Sequence, residues 1–157
     1  MAKLLFVCLG NICRSPAAEA VMRQLMAQQN ITEHQCDSAG TSGFHEGQSA
    51  DQRMRQAAER RGITITHRAR PITAQDLRDF DYVFVMDQSN AANVHRLART
   101  PQEKAKIKMM AAFCRHHQAQ DIPDPYYGGA HGFDLVLDLL TDAATEILRQ
   151  LQTKTLA

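Results

Sequence analysis

The segment that most constrains the fold is Leu4-Leu-Phe-Val-Cys8, an unbroken apolar run that meets Gly10-Asn11 and then Ser15-Pro16. A strand with one wet face alternates apolar and polar residues. A continuous run is buried on both faces, which requires a sheet covered by helices on either side. Ser15-Pro16 reads as a helix opening, with Ser at the N-cap and Pro at the first helical position. The helix is expected to run to about Gln29, with Ala17, Val21 and Leu25 and Ala18, Met22 and Met26 at helical spacing, and to end at Asn30. The chain therefore opens as strand, loop, helix.

The alternation continues. A short strand is expected near Gln35–Ala39, then a Gly/Ser/Thr-rich loop from Gly40 to Gln48 and a helix over Asp51–Arg61 ending at Gly62. Asp81–Met86 is a second buried strand, followed by a helix over Gln88–Leu97. Lys106–Ala111 reads as a fourth strand, and Ile122–Gly132, with its Pro and Gly, as a loop. The last helix is expected over Asp134–Leu151, with Val136, Leu140, Ala143, Ile147 and Leu151 on one face. Strands alternating with helices give an α/β fold with a mostly parallel sheet. With 157 residues and no repeat or linker, the expectation is one domain spanning residues 1–157. Ligands of such sheets sit at the carboxyl ends of the strands, which points to the loop after Cys8 and to Asp87.

Composition removes several classes of function. Lys plus Arg is 18 and Asp plus Glu is 17, a net charge of +1, which argues against nucleic-acid binding through bulk charge. No apolar run approaches the ~20 residues of a membrane span, and the first residues lack a signal-peptide pattern. The expected location is the cytoplasm, where thiols stay reduced. Cys8, Cys13, Cys36 and Cys114 are too few and too uneven for a disulfide scaffold, and none has zinc-site spacing. No metal or cofactor is expected. Cys36 and Cys114 read as core filling.

The loop Cys8-Leu-Gly-Asn-Ile-Cys-Arg14-Ser15 carries four features that converge on an anion. It precedes a helix N-terminus, where free N–H groups and the helix dipole favour negative charge. Gly10 and Asn11 are the residues best able to take left-handed conformations, which curls successive N–H groups inward. Arg14 offers a planar fork for two phosphate oxygens. Cys8 sits at the bottom of the resulting cup as a nucleophile. Composition alone gives roughly 0.3 chance occurrences of Cys-x5-Arg in this chain, and roughly 0.03 with Ser or Thr next. The plainer reading makes Cys8 a buried strand-end residue and Arg14 a solvated charge. Between Arg53 and Arg70 there are six Arg and one Glu. That stretch is either a solvated helix face or a basic rim that attracts acidic phosphopeptides.

Val7-Cys-Leu-Gly-Asn-Ile-Cys-Arg-Ser-Pro-Ala-Ala-Glu-Ala20 resembles the active-site signature of the low-molecular-weight protein tyrosine phosphatases. The resemblance extends through Asp37-Ser-Ala-Gly-Thr41, Thr66-His-Arg-Ala-Arg70, Phe80–Asn90 and Asp124-Pro-Tyr-Tyr-Gly128, in the family's order and over nearly the whole chain. It implies a three-layer αβα fold with a four-stranded parallel sheet. It also implies hydrolysis of phosphotyrosine, with Cys8 as nucleophile, Arg14 as phosphate clamp and Asp124 as general acid and base. Leu9, Gly10, Asn11, Ile12, Cys13, Arg14 and Ser15 would surround the phosphate, with Ser15 donating to the Cys8 sulfur. Asn11, Ser38 and His67 would hold the loop in shape, and Asp87 would orient Arg14. Phe44, Tyr126 and Tyr127 would form an apolar slot for the substrate ring, although Gly43–Asp51 lacks the prolines often seen there. Cys13 would pair reversibly with the nucleophile on oxidation. The implied partners are tyrosine-phosphorylated proteins, with phosphate, vanadate or sulfate as active-site ligands and a monomeric chain.

Three other readings share parts of this pattern. Thioredoxin-linked arsenate reductases use a cysteine pair after the second buried strand, and Asp81–Thr100 contains none. A phosphocysteine carrier of sugar transport would need neither Arg14 nor Asp124. A phosphotyrosine-binding module without activity would not need Cys8, Arg14 and Asp124 together.

Overall fold

The structure, a computed structural model, describes residues 1–126, 128, 129 and 131–157; Tyr127 and Ala130 lie outside the described residues. The elements in chain order are β1 (Lys3–Cys8), α1 (Arg14–Gln28), β2 (Gln35–Gly40), α2 (Gln52–Glu59), α3 (Asp76–Asp79), β3 (Tyr82–Val85), α4 (Gln88–Leu97), α5 (Pro101–Ala105), β4 (Ile107–Met109), a 3-10 turn (Met110–Phe113) and α6 (His131–Thr153). The four strands form one parallel sheet in the order β2-β1-β3-β4.

β1 explains its own sequence. Leu4, Phe6 and Cys8 join the apolar cluster that includes Ala17, Val21, Phe133 and Leu140, beneath α1 and α6. Leu5 and Val7 join the cluster on the other face with Leu77 and Val94, beneath α3 and α4. Successive side chains point to opposite faces. Because both faces are covered, the run has no polar member.

The sheet order also places the site. The chain leaves β1 toward β2 on one side and later returns to β3 on the other, so β1/β3 is the point where the winding reverses. Val7 lies in register with Val85, which brings Cys8 and the segment Met86-Asp87 to the same end of the sheet.

Several boundaries differ from those expected. α1 begins at Arg14, two residues earlier than expected, with Cys13 at the N-cap position and no side-chain cap. Ser15 is therefore inside the first turn and does not cap the helix. Pro16 is third, which is allowed because N–H groups of the first turn have no intrahelical acceptor. β4 stops at Met109, where the chain tightens into the 3-10 turn. α3 and α5 are too short to show periodicity. α5 nevertheless carries a capping signal in Thr100-Pro101-x-Glu103: the Thr100 Oγ1 accepts from the Glu103 N–H at 3.1 Å, and Glu103 Oε1 accepts from the Arg99 N–H at 3.2 Å. α6 starts at His131, one turn before the expected Asp134.

Asp142 of α6 collects the loop after the 3-10 turn. Its Oδ1 accepts from the Arg115 N–H at 3.0 Å, and its Oδ2 from the N–H groups of His116 (2.9 Å) and His117 (3.0 Å). His117 Nδ1 lies 2.9 Å from the same oxygen. Burial alone would raise this carboxyl, but the Arg115 N–H, the His117 ring and the two further N–H groups outweigh it and hold it at about 2. The folded pKa is thus below the ~3.9 of an unfolded Asp, so the contribution is complete above about pH 4 and is lost as pH falls toward about 2. Asp142→Asn is expected to lose about 2 kcal/mol at neutral pH. Urea titrations across that acid window should show the parent's stability falling more steeply than the variant's; parallel curves would contradict this assignment.

Candidate active site

The chain leaves β1 at Cys8 and enters α1 at Arg14 through five residues. Asn11 takes the left-handed conformation, φ 57°, as its type permits. Gly10, expected to share that role, does not. Its bare backbone instead admits a neighbour, since a Cβ there would lie 3.0 Å from His45 Cδ2. Gly40 at the end of β2 is tighter still: a Cβ would meet the Leu9 carbonyl at 2.8 Å. That close approach lets the Thr41 and Ser42 N–H groups donate to the carbonyls of Cys8 and Leu9, both at 2.9 Å. On the far side of the loop the Asp51 N–H donates to the Ile12 carbonyl at 2.8 Å.

A buried polar network fixes the underside. Asn11 Nδ2 donates to Ser15 Oγ at 2.7 Å and Ser38 Oγ at 3.1 Å. Asn11 Oδ1 accepts from the Arg70 N–H at 3.0 Å and lies 2.8 Å from His67 Nε2. Ser38 Oγ donates to Glu19 Oε1 at 2.8 Å, and His67 Nδ1 lies 3.3 Å from that oxygen and 3.4 Å from Asp37 Oδ1. Asn11, Ser15 and Ser38 are essentially inaccessible, and each finds partners, as buried polar groups require. The Cys8 sulfur takes part from above: it lies 3.0 Å from Ser15 Oγ and accepts from the Asn11 N–H at 3.3 Å.

Arg14 is 2% exposed, so it is not a solvated charge. Asp87, which also caps α4 by accepting the Asn90 N–H at 2.8 Å, accepts from Arg14 NH1 at 2.7 Å. The same NH1 donates to the Ile122 carbonyl at 3.0 Å. A buried guanidinium needs this pairing, because an unpaired charge there is costly. NH2 turns toward Asp124, 3.6 Å from Oδ2. Asp124 comes from the loop before α6, and its Oδ1 accepts from the Tyr126 N–H at 3.0 Å.

These groups line one cavity of about 350 Å³. Cys8, Arg14 and Asp124 form its polar end; Leu9, Ile12, Phe44 and Tyr126 supply apolar wall. Gly10 and Cys13 line it too, whereas Asn11 and Ser15, expected among the phosphate-binding residues, do not; they sit beneath it as supports. Phe44 is 82% exposed and meets His45 edge-on at 4.9 Å, so it is a lip of the cavity and not a buried wall. Tyr127 lies outside the described residues. Burial pushes the Cys13 thiol well above its usual range, and Asp51, Cys8 and Asp124 push the same way against Arg53.

The comparisons with known proteins decide the family. The family model described as low molecular weight phosphotyrosine protein phosphatase matches residues 3–156. The low molecular weight phosphotyrosine protein phosphatase of Homo sapiens is 45% identical over 135 residues, 85% of each chain. The chain belongs to this family. A crystal structure of a protein tyrosine phosphatase from Entamoeba histolytica, with Hepes in the active site, superposes with a TM-score of 0.96 at 45% identity, covering 99% of this chain and 100% of that one. The structure of a Drosophila arginine phosphatase gives 0.90 at 33% identity, covering 97% and 98%. The family is one of hydrolases, and the four-stranded parallel α/β architecture expected from the signature is the one observed.

Within the family frame, some residues around the site were not singled out from the sequence. Glu19 lies one turn beyond Ser15 on α1, at the i,i+4 spacing that places both on one face, and that spacing was the available signal. Ile122 contributes only a carbonyl, which no side chain could announce. Glu19, Asp37 and His67 bring ligand atoms within 4.8 Å of one another. The carboxylates are already engaged, Glu19 by Ser38 and Arg23 and Asp37 by the Ser38 N–H and Arg70, while His67 turns Nδ1 to both of them and Nε2 to Asn11. The cluster therefore reads as loop support and not as a metal centre. Of the basic stretch, Arg53, Arg61 and Arg70 are ion-paired, to Asp51, to Asp134 and Asp138, and to Asp37 and Asp76. Cys36 is buried, whereas Cys114 is only partly so.

Proposed function

We propose that the chain hydrolyses phosphotyrosine and small aryl phosphates through a cysteinyl-phosphate. The observation that carries this reading is the convergence of Cys8, the buried Arg14 and Asp124 on one cavity. In the first step the Cys8 sulfur attacks phosphorus as the P–O bond to the phenol breaks. Asp124 delivers a proton to the departing oxygen, because a phenolate of conjugate-acid pKa ~10 leaves poorly at neutral pH. Arg14 and the loop N–H groups hold the charge on the equatorial oxygens. In the second step Asp124 takes a proton from water, the new P–O bond forms, the S–P bond breaks, and phosphate leaves with the thiolate restored. Ser15 and the Asn11 N–H stabilise that sulfur, while Asn11, Ser38 and His67 keep the loop's N–H groups aimed inward and Asp87 orients Arg14. Cys13, on the same wall, is the partner for an oxidised Cys8.

The apolar wall favours a ring over a guanidinium. Leu9, Ile12, Phe44 and Tyr126 give a phosphotyrosine ring contact, and ring stacking adds ~0.5–1.5 kcal/mol. Phosphoarginine, the substrate class suggested by the Drosophila relative, would present several N–H donors to these four side chains, of which only Tyr126, through its hydroxyl, offers an acceptor. Phosphoserine offers no ring to the apolar side chains and so forgoes that contact. Initial rates on phosphotyrosine, phosphoserine and phosphoarginine peptides, with and without vanadate and a chelator, test the reading. Expected are a preference for phosphotyrosine of at least about tenfold, competitive inhibition by vanadate and no effect of the chelator. A preference for phosphoarginine, or insensitivity to vanadate, would overturn it.

The proposed working form is a monomer in the cytoplasm that acts on tyrosine-phosphorylated proteins. Among the described residues, no helix is long and apolar enough to cross a membrane.

A further inference from the structure

The mechanism above gives no task to Arg53, yet this residue joins the phosphate loop to the acid loop. The Asp51 N–H donates to the Ile12 carbonyl at 2.8 Å, which ties the start of α2 to the phosphate loop. The Asp51 carboxylate accepts from Arg53 Nε at 3.1 Å and NH2 at 2.9 Å, a two-point contact that fixes the plane of the guanidinium. That plane lies 5.2 Å from the centre of the Tyr126 ring and 4.8 Å from that of Phe133, near the start of α6. Tyr126 follows Asp124 by two residues, and its N–H donates to Asp124 Oδ1. A cation over an aromatic face is attracted by the ring quadrupole. Arginine can hold a carboxylate with its fork and stack on rings with its faces at once; lysine cannot.

We infer that Arg53 is a positioning residue for the general acid. It clamps Tyr126 against the phosphate loop and so sets where the Asp124 carboxyl stands relative to the leaving oxygen. The inference rests on the reading of Asp124 as the acid. Loss of Arg53 leaves α2 attached to α6 by another route, since Arg61 donates to Asp138 Oδ1 at 2.8 Å and to the Asp134 carbonyl at 3.1 Å. The Arg53 side chain is itself 47% exposed, so its replacement empties no core position.

The test is kcat/KM over a series of aryl phosphates from phenyl to 2,4-dinitrophenyl, in the parent, Arg53→Leu, Arg53→Lys and Asp124→Ala. Arg53→Leu is expected to lose about tenfold with phenyl phosphate and less than about twofold with the dinitrophenyl ester, because a displaced acid matters only where protonation is needed. Arg53→Lys should fall between parent and Arg53→Leu. Adding Arg53→Leu to Asp124→Ala should bring no further dependence on the leaving group, since the two act as a unit. An equal loss for every ester, or none, would overturn the positioning role while leaving Asp124 as the acid. If Asp124→Ala itself shows no dependence on the leaving group, the acid reading fails and this inference falls with it.

Discussion

Replacing Asp124 by alanine should lower kcat/KM for phenyl phosphate by about 10²–10⁴-fold and leave that for 2,4-dinitrophenyl phosphate nearly untouched. The difference follows from the chemistry of the departing oxygen. A phenolate of conjugate-acid pKa ~10 needs a proton as the P–O bond breaks, whereas a strongly acidic phenol leaves as its anion. Asp124 stands at the polar end of the cavity beside the phosphate cup, with Oδ2 3.6 Å from Arg14 NH2. Arg14 loses the contact of NH2 with Asp124 but stays in place, because NH1 keeps Asp87 and the Ile122 carbonyl. Measured as log kcat/KM against leaving-group pKa, the variant should show a steep negative slope where the parent is shallow. Equal losses at both ends of the series would exclude the acid role and leave Asp124 as a loop anchor for Tyr126.

Cys8→Ser should abolish turnover of every ester, a fall on the order of 10⁴–10⁶. The effect differs in kind from that of Asp124, because a serine hydroxyl keeps its proton where a thiol gives it up, and Asp124 is the proton donor in that step. The supports beneath the loop, Asn11, Ser15 and Ser38, do not depend on the sulfur for most of their bonds. The loop should therefore keep its shape, and inorganic phosphate should bind the variant within about tenfold of the parent. Calorimetry of phosphate binding beside the activity assay separates loss of the nucleophile from loss of the cup. Activity that survives the substitution would sink the mechanism.

The layers of the fold were legible because burial on both faces of a strand leaves a mark in sequence. Leu4–Cys8 and the apolar run at Asp81–Met86 carry it, and they became β1 and β3 at the centre of the sheet. β4 carried less of it, and its expected range was too long because Met110 and Ala111 are buried in a 3-10 turn, which is as apolar as a strand. The site's centre was legible for a different reason. An anion cup needs a left-handed residue, a helix start and a fork, and Asn11 and Arg14 supply two of these in a few positions. Ser15 shows the limit of such local reading. Ser before Pro matches a cap, yet the helix begins at Arg14, and the hydroxyl serves Cys8 and Asn11 instead. Long-range partners were legible only through the family signature, as with His67 and Asp87, or not at all, as with the contact of Arg53 with Tyr126. Their roles come from the folded arrangement, where His67 and Asp87 meet loop residues 56 and 73 positions away.

The phosphoryl group carried on Cys8 can be caught during turnover. The parent enzyme is mixed with phenyl phosphate, quenched in acid within the first turnover, digested and mapped by mass spectrometry. One added phosphoryl group is expected on the peptide that contains Cys8, absent from Cys8→Ser and lost on standing with buffer. A phosphoryl group on another residue, such as His67, or turnover with no phosphorylated peptide at any time, would contradict it.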